Sequence, residues 1–253
     1  MFEWASAPKC IRPEGFPLAS ESFLPPDRHC YNSCGSPMQT TLAFLTSQLE
    51  LADELLAGRD RMFEPQDLPG RYGRVIKALD HLLKVVGCEA VLAGGWAVWR
   101  HGFLGRITQD VDILLAASDV DPILRAAAVG GFDVLQQPVG RWPKLVHQET
   151  GIRVDILPAG QRPGTPARPA PTILPDPSSA GASGAMLRYM TLPSLIELKL
   201  AAGRARDEGD VVELIRANPG SIDAVRKHLE AVHADYLNAF DALVKRAGEQ
   251  QDE

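Results

Sequence analysis

Two aspartates separated by one residue, Asp110 and Asp112, are the residues of this chain whose types and spacing most readily support chemistry. They lie in the sequence Gln-Asp-Val-Asp-Ile-Leu-Leu, whose apolar and β-branched residues predict a β-strand. Because side chains alternate between the two faces of a strand, both carboxylates are expected on one face, about 7 Å apart. Two anions so close repel each other unless a divalent cation lies between them, and magnesium is the cation that we predict.

A third carboxylate, Asp155, follows in a second short apolar run at 151–157. This run predicts a strand that could pair beside the first one and direct Asp155 toward the same point. The three acids would then form one metal site. Two other interpretations remain open. Asp155 could form an ion pair with Arg153 or Arg162, and the first two aspartates could flank the end of a surface strand.

Two adjacent glycines, Gly94 and Gly95, lie between an apolar run at 90–93 and a helix-like segment at 96–101. The apolar run predicts a buried strand. Glycines at a strand-to-helix junction leave room for a phosphate to approach backbone N–H groups, and the start of a helix favours negative charge. We predict that a triphosphate and a metal ion meet in one cleft. The alternative is a tight turn that binds no ligand.

In order and spacing, the glycine pair, the segment 106–112 and the later strand acid resemble the minimal nucleotidyltransferases of the DNA polymerase β-like fold. The segments 192–200 and 204–210 resemble the helical part of AbiEii-type members, a group that includes toxins of toxin–antitoxin pairs. The resemblance covers 85–217. It implies an enzyme that transfers a nucleoside monophosphate from an NTP to a hydroxyl group on RNA, protein or a small molecule, with an antitoxin protein as a further partner.

The resemblance also implies roles for individual residues. Asp110 and Asp112 would bind two magnesium ions, and Asp155 would share in the metal site and help to activate the attacking hydroxyl. Gly94 and Gly95 would hold the triphosphate. The metals would bridge phosphate oxygens and stabilise the charge that develops while pyrophosphate is displaced in line.

Three further residues are predicted to contact the nucleotide. By the period of a strand, Arg106 and Thr108 share one face, so Arg106 could meet a phosphate and Thr108 a carboxylate or the base; both could instead brace the loop. Lys199 resembles a lysine that contacts phosphates in the toxin subgroup, and the alternative is a lysine that only covers an amphipathic helix. Asp207 and Asp210 are predicted to form the N-cap and first turn of the next helix.

One position departs from the family pattern. Many members have Ser or Thr directly after the glycines, and this chain has Trp96 there, so a hydroxyl that could donate to phosphate is missing. A second hypothesis is therefore a catalytically inactive nucleotide-binding or interaction module of the same fold, in which Trp96 fills part of the phosphate pocket. A third is an antibiotic-modifying adenylyltransferase. An acidic acceptor pocket would favour that enzyme, and a basic rim around the cleft would favour tRNA as the acceptor.

Composition limits the classes of partner. The chain has 253 residues, of which 45% are hydrophobic, enough for a globular core. A formal net charge of −6 argues against binding long nucleic acid by general neutralisation of phosphates, and leaves a small acceptor or RNA bound by a local patch. No apolar run approaches the roughly 20 residues that span a bilayer, and the N-terminus lacks a secretory pattern. We predict a cytoplasmic protein without a membrane partner.

The periodicity around these residues predicts an α/β (α+β) fold, in which a small mixed β-sheet has helices on one side. Helices are predicted at 42–56 and 72–86, and three C-terminal helices end in a periodic segment at 222–244. We divide the chain into a disordered segment at 1–40, a nucleotidyltransferase-like core at 41–158, a flexible Pro/Gly/Ser-rich loop at 159–188 and a C-terminal helical region at 189–253. Translation could begin at Met38 instead of Met1.

Overall fold

The computed structural model describes residues 64–249, except 107, 166, 167 and 183, and also six residues between 42 and 53. Those six are all helical and fall within the helix predicted at 42–56. The predicted segment 1–40, with the alternative start at Met38, lies outside the described residues.

A six-stranded mixed sheet forms the centre of the described part of the chain, in the order β3-β4-β5-β2-β1-β8. Strand β2 lies between β5, which is parallel to it, and β1, which is antiparallel. A separate two-stranded hairpin consists of β6 and β7. In chain order, the strands are β1 Ala90–Leu92, β2 Asp110–Leu115, β3 Phe132–Leu135, β4 Lys144–His147, β5 Arg153–Pro158, β6 Gly164–Thr165, β7 Arg168–Pro169 and β8 Leu187–Tyr189.

Eight α-helices within residues 64–249 accompany the sheet. They are α1 Gly70–Val86, α2 Gly94–Arg100, α3 Ala117–Ala126, α4 Pro177–Ala180, α5 Leu192–Ala202, α6 Ala205–Ala217, α7 Ile222–Val232 and α8 Ala234–Glu249. The mixed sheet with flanking helices and a helical C-terminal part confirms the predicted α/β (α+β) fold class. None of the helices in the described residues combines the length and the apolar character that a membrane span requires.

Both faces of the sheet are buried. On one face, Val111 and Ile113 of β2 pack in a core with residues of α1 and α3. On the other face, Val91 of β1 and Leu114 of β2 pack with residues of α5 to α8. The prediction of helices on one side is therefore wrong, because the apolar parts of these strands present buried side chains in both directions.

Between residues 189 and 249, the C-terminal part contains four α-helices instead of the predicted three. The segment predicted as one helix at 222–244 is divided between α7 and α8, because His233 has an extended backbone with φ −164° and ψ 134°. The apolar stripe continues across this break, and Leu229 and Phe240 on its two sides are fully buried in the same core. Periodicity thus indicates which side chains are buried, but not where the helix ends.

The predicted loop at 159–188 contains the β6–β7 hairpin, helix α4 and the first residues of β8. Strand β8 pairs in parallel with β1, so the end of this segment forms one edge of the sheet. The flexibility of the segment stays a prediction.

Candidate active site

The three predicted acids lie on the sheet face that α5 to α8 cover. Asp110 and Asp112 alternate with Val111, whose side chain packs on the opposite face. Strand β5 is parallel to β2 and in register with it, so that Asp155 is the direct partner of Asp112. We call the residues Asp110, Asp112 and Asp155 the acid face. The structure therefore brings two of these acids side by side and places the third two residues along β2.

A lysine that sequence reasoning missed completes the same row. Lys144 of β4 is the register partner of Asp155, and its Nζ donates to Asp155 Oδ2. The alternative partners considered for Asp155 are wrong, since Arg162 instead donates to the backbone carbonyls of Ala170 and Pro171, and no ion pair joins Arg153 to Asp155 among the described residues. The connection between β4 and β5 is short, and counting outward from it would have placed Lys144 opposite Asp155.

The acid face brings three negatively charged side chains together where they are partly buried from solvent. Burial, together with the neighbouring charges of Asp110 and Asp155, raises the pKa of Asp112 to about 7. Lys199 and Arg106 act in the opposite direction and offset part of this effect. Carboxylates that repel one another in this way gain free energy from any cation that reaches them.

The two glycines lie directly against the acid face and its entry loop. Gly94 has a φ of 58°, and a Cβ on it would lie 1.8 Å from Oδ2 of Asp112. A Cβ on Gly95 would lie 2.5 Å from the Thr108 hydroxyl. Each position therefore requires glycine, the first for its backbone conformation as well as for space. The backbone at the start of α2 passes next to the Asp112 carboxylate without a side chain between them.

Trp96 points away from the acids and into the core. Its side chain is 1% exposed, and its ring lies 4.6 Å from that of Tyr72 and 5.4 Å from that of Trp99. The indole N–H donates to the backbone carbonyl of Asp110 at 3.1 Å. The hypothesis that Trp96 fills a phosphate pocket is therefore wrong. The residue instead supports the strand that carries the acids.

Arg106 and Thr108 occupy the loop that enters β2. The Thr108 hydroxyl donates to the backbone carbonyl of Asp110 at 3.4 Å, which braces the loop. Nη1 of Arg106 donates to Asp210 Oδ2 at 2.5 Å. Nε of the same guanidinium is buried and has no hydrogen-bond partner among the described residues. An unpartnered buried donor is unfavourable, so this N–H group of Arg106 calls for an explanation.

Lys199 is buried between two aspartates. Its Nζ lies 3.1 Å from Asp207 Oδ1 and 2.5 Å from Asp210 Oδ2. Asp207 also accepts from Arg204, whose Nε lies 2.5 Å away. Of the prediction that Asp207 and Asp210 form the N-cap and first turn of a helix, only the position of Asp207 in the first turn of α6 is confirmed. The N-cap is Arg204, α6 has no side-chain cap at its N-terminus, and both carboxylates instead pair with the buried Lys199. Together with Arg106, these ion pairs join α5 and α6 to the loop before β2.

A cavity of about 390 Å³ opens beside Arg106. Its volume lies in the range of roughly 300 to 1,000 Å³ that small-molecule sites occupy. Two arginines and two acidic residues share its wall with an aromatic ring, so it is neither the acidic pocket nor the basic rim that would discriminate between acceptors. The lining residues are Phe103, Arg106, Arg206, Gly209, Asp210 and Glu213.

The acid face supplies the hard oxygen donors that magnesium prefers. Oδ1 of Asp155 is buried and has no partner in the described part of the chain, while Oδ2 is paired with Lys144. Within residues 64–249, however, no three His, Cys, Asp or Glu side chains already form a group that could hold a metal ion. Asp110 and Asp112 thus fit one divalent cation by the chemistry of their donors, and Asp155 already has a cationic partner.

No family model matches the sequence. No curated protein matches it either. Several solved structures are similar to it, with low sequence identities and low TM-scores. ANT(2'')-Ia, solved with adenylyl-2''-tobramycin, is 13% identical, with 68% of this chain and 96% of that chain covered and a TM-score of 0.39. A Thermotoga maritima protein described as a nucleotidyltransferase is 17% identical, with 57% and 92% covered and a TM-score of 0.39. JHP933 from Helicobacter pylori is 13% identical, with 71% and 93% covered and a TM-score of 0.34.

Likenesses at this level leave the function to be inferred from the residues of the chain itself. None of the three proteins is described as an AbiEii-type toxin, so that part of the resemblance stays a prediction.

Proposed function

We propose that the chain is a magnesium-dependent nucleotidyltransferase that transfers a nucleoside monophosphate from an NTP to a hydroxyl group. The observation that carries this proposal is the pairing of Asp112 with Asp155 in register on the sheet face that α5 to α8 cover. The backbone of Gly94 lies so close to the Asp112 carboxylate that no side chain would fit between the two. A purely structural sheet gains nothing from adjacent, half-buried carboxylates whose burial and mutual repulsion raise the pKa of Asp112 to about 7. A site that binds a cation and a phosphate does gain from such carboxylates, because they attract the cation.

In this proposal, Asp110 and Asp112 hold magnesium, which would supply charge neutralisation for the phosphates. Arg106 directs its unpartnered Nε toward the triphosphate, and the chain at Gly94 and Gly95 lets the phosphates approach the backbone. The buried position of Trp96 supports activity, since the glycine junction is not blocked by a side chain.

Asp155 acts on the acceptor. Its Oδ1 is buried without a partner, and in this proposal it accepts the proton of the attacking hydroxyl. The hydroxyl oxygen forms a bond to the α-phosphorus, the bond from that phosphorus to the bridging oxygen of the β-phosphate breaks, and pyrophosphate leaves with the electron pair. Lys144 keeps the Asp155 carboxylate in place through Oδ2.

The test is incubation of the purified chain with each labelled NTP and magnesium, with total RNA, cell extract or an aminoglycoside as separate acceptors. Label should pass to one class of acceptor, and Asp110→Asn and Asp112→Asn should abolish the transfer. Asp121→Asn, which changes an exposed carboxylate of α3, is the matched control and should transfer normally. Transfer that survives both site variants would rule out the metal role.

The acceptor decides between the biological roles. Transfer to tRNA or protein that stops growth on expression would support a toxin, and rescue by a co-expressed neighbouring gene product would support an antitoxin partner. Transfer to an aminoglycoside would instead support an antibiotic-modifying adenylyltransferase. Binding of NTP without any transfer would support the inactive module.

A further inference from the structure

Three charged side chains form a row across adjacent strands. Asp112 of β2, Asp155 of β5 and Lys144 of β4 are successive register partners, so their side chains lie on the same face of the sheet. The ammonium of Lys144 contacts Oδ2 of Asp155. The two side chains are 31% and 21% exposed, which places this ion pair at the edge of the core, where solvent screens it only in part.

The position of Lys144 matters because the predicted metal site uses all three acids. A lysine ammonium is a compact point charge, and here it already neutralises the carboxylate that a second divalent ion would need. A second ion at Asp155 would therefore either displace Lys144 or lie beside a like charge. An ion at Asp110 and Asp112 would displace no cation, because no lysine or arginine side chain in the described residues forms an ion pair with either of them.

The charges on this face also favour a single divalent ion. In the absence of nucleotide, three carboxylates are balanced by one ammonium and one divalent ion. The neighbouring Lys199 and Arg106 do not alter this balance, because Asp207 and Asp210 are their ion-pair partners. A second divalent ion would leave an excess of positive charge in a half-buried site, which is unfavourable.

We propose that Lys144 takes the place of a second metal ion at Asp155, so that the nucleotide-free chain binds one divalent ion, at Asp110 and Asp112. This inference rests on the proposed function, since it assumes that the acid face binds metal. It differs from the two-ion arrangement that the family resemblance implies. Lys144 is in this view a positioning residue, which holds Asp155 by a fixed charge of the chain.

The test counts bound Mn²⁺ by electron paramagnetic resonance on the full chain without nucleotide. The wild type should bind one ion at the acid face, and Lys144→Met and Lys144→Gln should each bind two. The glutamine variant can still donate a hydrogen bond to Asp155, so it preserves the contact if the methionine variant folds poorly. Lys144→Arg keeps the charge and should bind one ion.

The matched control is Lys84→Met, which removes a lysine that pairs with a single aspartate, Asp80, at 2.5 Å in α1. It should leave the count at one. Two ions in the wild type, or one ion in every variant, would overturn the inference and leave the proposed function intact. No bound Mn²⁺ in any variant would overturn both, because the metal role of Asp110 and Asp112 would fail as well.

Discussion

Replacing Asp112 by asparagine should stabilise the metal-free protein at alkaline pH. The substitution keeps the shape of the side chain and removes its charge. Because burial and the charges of Asp110 and Asp155 disfavour ionised Asp112, its pKa in the folded chain is about 7 in place of the ordinary 3.8. Residues that serve a site at the expense of the fold are expected to behave in this way.

The size of the effect follows from the difference between the two pKa values. At about 1.4 kcal/mol for each pH unit, the rise from 3.8 to about 7 corresponds to at most about 4 kcal/mol in the free energy of unfolding. Asp112 keeps part of its surface exposed, so solvent screens the repulsion and we expect about 2 kcal/mol. For a chain of this length, that corresponds to a rise in Tm of roughly 4 to 8 °C.

The pH dependence has a defined sign. The folded chain holds the Asp112 proton more tightly than the unfolded chain, so the protonated carboxyl stabilises the fold fully below pH 3.8, and this contribution is lost as the pH rises to about 7. Asparagine resembles the protonated form at every pH. The advantage of Asp112→Asn should therefore be greatest above pH 7, and at pH 5.5 it should be about half as large.

Thermal unfolding followed by circular dichroism, with EDTA present, measures this difference at pH 5.5 and pH 8. Asp121→Asn should melt like the wild type at both values, since its carboxylate is exposed. Magnesium should raise the Tm of the wild type at pH 8 and not that of Asp112→Asn. A variant that is less stable than the wild type at pH 8, or a difference that does not change with pH, would refute the reasoning.

Three other substitutions follow from the same geometry. Gly94→Ala should lower the Tm and abolish transfer, because its Cβ would lie 1.8 Å from an Asp112 oxygen. The control is Gly87→Ala, at a position with a φ of 77° where a Cβ would meet nothing within 4 Å. It should lower the free energy of unfolding, measured with urea, by only about 1 kcal/mol. Lys199→Met should lower the free energy of unfolding by about 3 to 5 kcal/mol, because it leaves two buried aspartates without their shared cation. Chemical denaturation measures this loss, and a value below about 1 kcal/mol would contradict the prediction. Trp96→Phe should lower stability by about 1 to 2 kcal/mol, through the lost indole hydrogen bond and lost volume, in the same assay.

Much of the acid face could be predicted from local sequence. The alternation of Asp110 and Asp112 with Val111 fixes which side chains share a face, because the period of a strand is a property of the backbone alone. The glycine junction before a helix was predictable for a similar reason, since the adjacent apolar run marks a buried strand and glycine marks a break. The fold class followed from the same alternation of strands and helices.

The partners of these residues could not be predicted in the same way. The contact between Arg106 and Asp210 joins residues that are 104 positions apart, and it exists only because α6 packs beside the loop before β2. The direction of Trp96 was likewise undetermined, since a short helix with apolar residues all round offers no preferred face until the sheet and α1 enclose it.

The sequence by itself determined that three carboxylates and two glycines belong to the strands and the junction of one small sheet, because strand period and glycine conformation act over a few residues. Only the tertiary structure decided that Asp155 faces Asp112 on one side and Lys144 on the other. Register between strands depends on how their faces pack against the helices, and that packing is a sum over the whole core. The charges that stand beside the acids are therefore a property of the fold and not of the motif.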